Sequence, residues 1–390
     1  MKKKEHKVIP GEALPFDPEA AKRVDDPLAI DAVAYVEIFA ANAKQTAYFY
    51  TRAFGFRPLA YRGPETGYRN AATYVLEQND ITLVISGPLT LSHWMAPYVM
   101  IHGDTVKDVA FRVPDVEAFY AETMMRGARS AESPTIWRDE SGFVKRAAIY
   151  TYGETVHSAV ERGEYKGCYW PGFVPYEDYF ESIPSQTEPG LMNVDHVVGN
   201  VEEGQMEHWV KFYEDVLGFK EMIHFTDEDI STEYSALMSK VMTNGTSKIK
   251  LPINEPAEAK RKSQIEEYLE FHQGPGVQHI ALRTDNIIHT VKDLRRRGVN
   301  FLRVPKAYYD EVPARVGSIK EDLAAIAGLG ILADRDDDGY LLQIFTKPVH
   351  DRPTLFFEII QREGSQGFGA GNFKALFEAL EREQDLRGNL

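Results

Sequence analysis

DVAFRVPDVEAFYAETMMRGA, Asp108 to Ala128, and HIALRTDNIIHTVKDLRRRGV, His279 to Val299, align without a gap at a constant offset of 171 residues (279 minus 108). Each opens as a short apolar strand, turns, continues as a helix and closes on a glycine at the C-cap position. YFYTRAFGF, Tyr48 to Phe56, pairs in the same way with FYEDVLGF, Phe212 to Phe219. Each of these helices follows a short apolar run, VEIFA at Val36 and DHVVGNV at Asp195, and alternating segments such as ATYVLEQNDITLVIS and ILADRDDDGYLLQIFTK come after the helices. Such self-similarity predicts repeated supersecondary units rather than unrelated halves. The chain reads as α+β, with four βαβββ-like modules, two in each half. Residues 1–165 form the first domain, 166–190 a linker rich in Pro, Gly and Tyr, and 191–390 the second domain.

The composition narrows the function. Over 390 residues, 59 Asp and Glu outweigh 44 Lys and Arg for a net charge of −15, with 43% hydrophobic residues. An acidic chain without a Lys/Arg-dense face would repel a phosphate backbone, so a nucleic-acid partner is not expected. The single cysteine, Cys168, can form neither an internal disulfide nor a Cys-rich zinc site, and reads as a small structural residue in a reducing compartment. The basic start MKKKEHK lacks the apolar run of a secretion signal, and no apolar stretch reaches the length of a membrane span. A cytoplasmic protein is expected.

Of eleven histidines, His196 in NVDHVVGNV and His279 in GVQHIALRT sit centrally in β-branched runs. Eight of the other nine, His157 among them, read as solvated loop or helix residues. Glu358 in TLFFEIIQREG is a carboxylate on an otherwise apolar strand, and leaving it unpaired in a core would cost several kcal/mol. His196, His279 and Glu358 follow one another at 83 and 79 residues, in related places of successive modules, so a curled sheet can bring them together. Two imidazoles and a carboxylate make the facial triad of non-haem Fe(II) oxygenases, with three coordination positions open. The repeat provides a control: His196 aligns with Glu37, His279 with Asp108 and Glu358 with about Ala159, so the first half carries no triad and is expected to be a scaffold or oligomerisation domain. DRDDDG at Asp334 begins like a calcium loop, but Phe345 stands where the loop needs Glu, and an Asp-Gly hairpin turn is expected instead. GFGAGNF at Gly367 lacks the context of a phosphate loop.

VDHVVGNV at Val194, LPINEP at Leu251, KSQIEEYL at Lys262, GVQHIALRT at Gly276, LLQIFTKP at Leu341, RPTLFFEIIQR at Arg352 and GFGAGNFKALFEALEREQ at Gly367 together resemble the 4-hydroxyphenylpyruvate dioxygenase family. The resemblance covers nearly the whole second half. It implies a vicinal oxygen chelate fold with two half-open β-barrel domains, an Fe(II) cofactor, and conversion of an aromatic α-keto acid and dioxygen to homogentisate and carbon dioxide by decarboxylation, ring hydroxylation and side-chain migration. It also implies that Gln264, Gln278, Gln343, Ser239 and Asn254 form a polar network around the substrate. Strict alternation puts Gln278 on the face opposite His279, so it reaches the pocket only if the strand bends. Phe345, Phe356, Phe368 and Phe373 would clamp the ring, with Pro252 shaping the wall. The last helix, with Asn372 as its cap and Phe373, Leu376, Phe377 and Leu380 on one stripe, would cover the barrel mouth. The family further implies a homo-oligomer, a dimer first. The sister activity, 4-hydroxymandelate synthesis, uses the same substrate and triad, and an aromatic residue at position 345 favours the dioxygenase. A metal-free binding module is the reading from another class.

Overall fold

The computed structural model describes residues 8–181, 188–226, 236–257 and 260–389, so the basic N-terminal cluster lies outside it. The chain divides into two compact units. Unit 1 is Met1–Thr187 with Lys211–Lys220 and Asn244–Ile249, and unit 2 is Glu188–Val210, Glu221–Thr243 and Lys250–Leu390.

Unit 1 holds strands β1 (Glu12–Ala13), β2 (Ala32–Phe39), β3 (Arg57–Arg62), β4 (Ala71–Gln78), β5 (Ile81–Pro88), β6 (Thr105–Arg112), β7 (Ser130–Asp139), β8 (Gly142–Tyr150), β9 (Val156–Glu161) and β10 (Val174–Pro175), with helices α1 (Ala43–Ala53), α2 (Met95–His102) and α3 (Val116–Met125). They form one sheet in the order β1-β7-β8-β9-β6-β2-β5-β4-β3-β10. The second half continues with β11 (Leu191–Asn200), α4 (Met206–Leu217), β12 (Lys220–Phe225), β13 (Ala236–Thr243), β14 (Lys250–Ala257), α5 (Gln264–His272), β15 (Gly276–Thr284), α6 (Ile287–Arg296), α7 (Tyr308–Val316), α8 (Leu323–Leu329), β16 (Leu332–Arg335), β17 (Tyr340–Phe345), β18 (Phe356–Glu363) and α9 (Phe373–Leu386). Its sheet runs β12-β13-β14-β11-β15-β18-β17-β16.

Both sheets are two βαβββ modules joined by their first strands. β2 pairs with β6 antiparallel and each pairs with the last strand of its own module in parallel, as do β11 and β15. The local chemistry that starts the module helices is shared: Asn42, Asp115 and Asn286 each accept a hydrogen bond from the backbone N–H three residues on, capping α1, α3 and α6. Leading strands carry apolar residues on both faces, as parallel pairing under helices requires. The curled half-barrel of the vicinal oxygen chelate fold results.

Two expectations need correction. Lys166–Glu181 is not a free linker: Val174 pairs with Tyr61, and Tyr169 and Trp170 are buried in the core around Tyr35 and Val160. His157 lies inside β9, fully buried, with Nδ1 2.9 Å from the Val109 carbonyl, while His102 and His272 are buried at the ends of α2 and α5. These sites are apolar strands and helix ends rather than solvated faces. DRDDDG does form the expected turn, with Asp336 accepting from the N–H groups of Asp338 and Gly339 between β16 and β17. No helix among the described residues is long and apolar enough to cross a membrane.

Candidate metal centre

The sheet of unit 2 brings β11, β15 and β18 side by side, and with them His196, His279 and Glu358. Glu358 Oε2 lies 3.1 Å from His196 Nε2 and 3.4 Å from His279 Nε2. Their ligand atoms lie within 4.8 Å of one another, and all three residues are buried. The far side of each ring is engaged: His196 Nδ1 donates to Asp195 Oδ1 at 2.8 Å and His279 Nδ1 to Gln278 Oε1 at 2.8 Å. A proton held on Nδ1 leaves the Nε2 lone pair facing the centre, the tautomer a metal ligand needs.

Two β-bulges make this possible. Along β11, Val194 pairs with Leu282 and His196 with Ala281, so Asp195 is the extra residue; along β15, His279 pairs with Val198 and Val277 with Gly199, so Gln278 is the extra one. A bulged residue escapes strict alternation. Gln278 therefore turns into the pocket beside His279, meeting the condition the alternation had set, and Asp195 reaches its neighbour's ring. The sequence reading missed Asp195, together with the Arg362 that grips it through Nε at 2.8 Å and Nη2 at 2.7 Å. An acidic residue adjoining a strand histidine was the available signal for the first, whereas the second lies 167 residues away.

Electrostatics follow from burial and these partners. Burial alone would raise the Glu358 carboxyl, but the charge of a protonated His196, whose basicity Glu358 and Asp195 raise against burial, and hydrogen bonds from both imidazoles hold it at about 2; an ion bound at the Nε2 atoms would take the place of those protons and leave the carboxylate anionic. Burial likewise opposes ionisation of Asp195, and Arg362 and His196 overcome it, keeping its carboxyl well below the ordinary range. His279 is pushed down by burial and stays a neutral donor of its lone pair. Two neutral-capable imidazoles, one carboxylate and fixed tautomers suit a divalent first-row ion.

The triad forms one wall of a pocket with about 570 Å³ of empty space. Ser239 and Asn254, paired across β13 and β14, line it with Pro252, Gln278 and Gln343. Gln264, the first residue of α5, is not on the wall; its Oε1 accepts from Gln278 Nε2 at 2.6 Å. Gln343 Nε2 donates to Glu358 Oε1 at 3.2 Å. Phe345, Phe356, Phe368 and Phe373 surround the opening with Leu376, Phe377 and Leu380 of α9. Asn372 does not cap that helix: its backbone sits in a 3-10 turn, and its Nδ2 donates instead to Gln343 Oε1 at 2.9 Å. The turn depends on Gly369, which has φ +76° and where a Cβ would lie 1.9 Å from Gln343 Oε1.

Strand register corrects the repeat control. Tyr35↔Ala110 and Glu37↔Asp108 reproduce His196↔Ala281 and Val198↔His279, bulges included, and Asp108↔Val156 reproduces His279↔Phe356. The counterparts of His196, His279 and Glu358 are thus Tyr35, Asp108 and Ser158, not Glu37, Asp108 and Ala159. The aligned strands differ by two residues at one position and one at another, which ungapped comparison cannot see. In unit 1 these three satisfy each other: Tyr35 Oη donates to Asp108 Oδ2 at 2.9 Å, and Ser158 donates to the same carboxylate through Oγ at 2.6 Å and N at 3.0 Å.

Comparison with known proteins agrees with the geometry. A profile of the Glyoxalase/Bleomycin resistance protein/Dioxygenase superfamily matches residues 193–344. The chain is 50% identical to a 4-hydroxyphenylpyruvate dioxygenase of Dictyostelium discoideum, covering 91% of this chain and 99% of the relative. It is 47% identical to one of Yarrowia lipolytica over 91% and 93% of the two chains. Among solved structures, a mutant of 4-hydroxymandelate synthase from Streptomyces coelicolor superposes with a TM-score of 0.81 at 32% identity, covering 91% of this chain and 99% of that one.

Proposed function

The chain belongs to the 4-hydroxyphenylpyruvate dioxygenase family, and we propose that His196, His279 and Glu358 hold Fe(II) for that reaction. The substrates are 4-hydroxyphenylpyruvate and dioxygen, the products homogentisate and carbon dioxide, in tyrosine breakdown. The observation that carries the metal assignment is the convergence of both Nε2 atoms on one carboxylate oxygen with both Nδ1 atoms bound elsewhere. Bound there, Fe(II) supplies the redox chemistry with dioxygen and open positions for an α-keto acid.

The chain's own residues orient and enclose. Gln343 holds Glu358 by Oε1, leaving Oε2 toward the imidazoles, and its own carbonyl is held by Asn372. Gln278, braced by Gln264, serves both as acceptor for His279 and as part of the polar wall with Ser239 and Asn254, where a phenol hydroxyl finds donors and acceptors. Phe345 and Phe356, whose centroids lie 5.9 and 4.9 Å from that of His279, pack beside the centre and would form the apolar face against which an aromatic ring lies. Phe368 and Phe373 close it toward α9 and exclude water. Pro252 stiffens the opposite wall.

A synthase reading shares the triad and the fold; the bulk of Phe345, buried against His279, favours ring hydroxylation by keeping the ring near the metal. A cytoplasmic homodimer completes the proposal, supported by the family resemblance and the single cysteine, and light scattering tests the dimer. Anaerobic reconstitution with Fe(II), followed by 4-hydroxyphenylpyruvate and air, tests the reaction. Homogentisate with one carbon dioxide is expected, whereas hydroxymandelate would transfer the assignment to the synthase.

A further inference from the structure

The register that relates the two triads also relates the two pockets. In unit 1 the position of Val198 is taken by Glu37, and Ser239 and Asn254 become Thr73 and Ser86. Counting from the paired Phe56 and Phe219, the position of Phe225 is taken by Arg62. All four residues line a cavity of unit 1 with about 1000 Å³ of empty space. Duplication has kept the hollow and exchanged part of its apolar wall for two opposite charges.

Most other charged groups on this wall are already engaged. Arg146 pairs with Glu132, Lys107 donates to the Glu154 carbonyl, and Asp108 is closed by Tyr35 and Ser158. Arg62 is different. Its guanidinium lies over the rings of Tyr68 and Phe173, at 4.6 and 4.7 Å, yet among the described residues it forms no ion pair, and its buried Nε has no hydrogen-bond partner. Glu37 likewise forms no ion pair; Ser86 Oγ donates to its Oε1 at 2.6 Å and is itself 3.0 Å from Thr73 Oγ1. A polar floor thus runs from β4 to Glu37, with Arg62 on the adjoining strand, while no Arg62–Glu37 contact falls within 4 Å. A half-buried guanidinium that has ring faces but no ion-pair partner still carries a desolvation cost, and a planar carboxylate is the partner it fits best.

We propose that unit 1 carries a second small-molecule site, for a zwitterion of the α-amino acid class, with the carboxylate on Arg62, the ammonium on Glu37 and an apolar side chain against Phe39 and Trp94. Phe39 and Trp94 pack with ring centroids 5.3 Å apart, and Trp94, 62% exposed, stands at the mouth. Burial raises the Glu37 carboxyl and lowers the Arg62 guanidinium, so the charged form of each gains when an opposite charge arrives. All residues of this site belong to unit 1, whereas the metal triad belongs to unit 2.

The test is isothermal titration of the full-length protein with L-phenylalanine, and in parallel with phenylacetate, which lacks the ammonium, and phenethylamine, which lacks the carboxylate. Saturable binding of one L-phenylalanine per chain is expected, with both truncated probes weaker by at least about tenfold. Arg62→Gln should weaken L-phenylalanine by a similar factor while leaving the melting temperature near that of the parent. Absence of saturable binding at roughly 10 mM ligand, equal binding of phenylacetate, or unchanged affinity in a folded Arg62→Gln protein overturns the proposal. Should that variant fail to fold, the charge series on the unaltered protein and Glu37→Gln, expected to lose the preference over phenylacetate, decide it.

Discussion

Removing Asp195 should separate the stability of the metal site from its affinity. The carboxylate accepts from His196 Nδ1 at 2.8 Å and from Arg362 at 2.8 and 2.7 Å, with side-chain exposures of 4% for Asp195 and 10% for Arg362. Asp195→Ala leaves a guanidinium buried without its counter-charge, at a cost of about 3–5 kcal/mol. It also frees the His196 ring, so Fe(II) affinity should fall by about 10–100-fold. Replacing both partners, Asp195→Leu with Arg362→Met, removes two charges together, and stability should return to within about 1–2 kcal/mol of the parent. The remaining deficit includes the 2.6 Å hydrogen bond from Arg362 to the Gly367 carbonyl, which anchors the segment before α9. Affinity should not return, because His196 still lacks its acceptor. Chemical denaturation of the iron-free protein gives the first quantity and anaerobic Fe(II) titration the second. Recovery of both in the double variant would refute the reasoning, since Asp195 would then act only through folding.

Other substitutions probe the pocket and the buried histidine. Phe345→Ile should shift the product ratio toward hydroxymandelate by about tenfold or more, read by chromatography. Gln343→Leu removes the donor to Glu358 Oε1 and the acceptor for Asn372, and should lower kcat/KM by about 10–100-fold with iron retained. Burial holds His157 at about 4 against an ordinary 6.5. The unfolded chain therefore takes up that proton first as pH falls, and stability should drop between pH 6.5 and 4 by as much as about 3 kcal/mol. A denaturation series across that window should show a shallower slope in His157→Phe; an unchanged slope would assign the loss to other groups.

The triad was legible because an isolated polar residue in a β-branched run stands out against its neighbours, and the repeat because Gly-capped helices recur at fixed spacing. What stayed hidden was whatever departs from period two. Asp195 and Gln278 reach the metal site only as bulged residues, and a bulge leaves no mark in residue type. The repeat comparison put Glu37 where strand register puts Tyr35 for another reason: the strands repeat at an offset of 161 residues (196 minus 35) and the helices after them at 163 (219 minus 56), so the connections between them differ by two residues. His157 was misjudged because its strand, VHSAVE, is short and flanked by polar residues, so its burial is decided by neighbouring strands. Asn372 has the residue type of a cap, but a buried amide partner at Gln343 outcompeted the helix end. Arg362 and Asp195 meet through tertiary folding alone.

The most direct measurement is iron content after anaerobic loading and dialysis, compared among the parent, His196→Ala, His279→Ala, Glu358→Ala and Tyr35→Phe. One iron per chain is expected in the parent and in Tyr35→Phe, whose site in unit 1 is closed on itself, with loss in each of the three triad variants. Full iron and turnover in any folded triad variant, or loss of iron in Tyr35→Phe, would contradict the assignment.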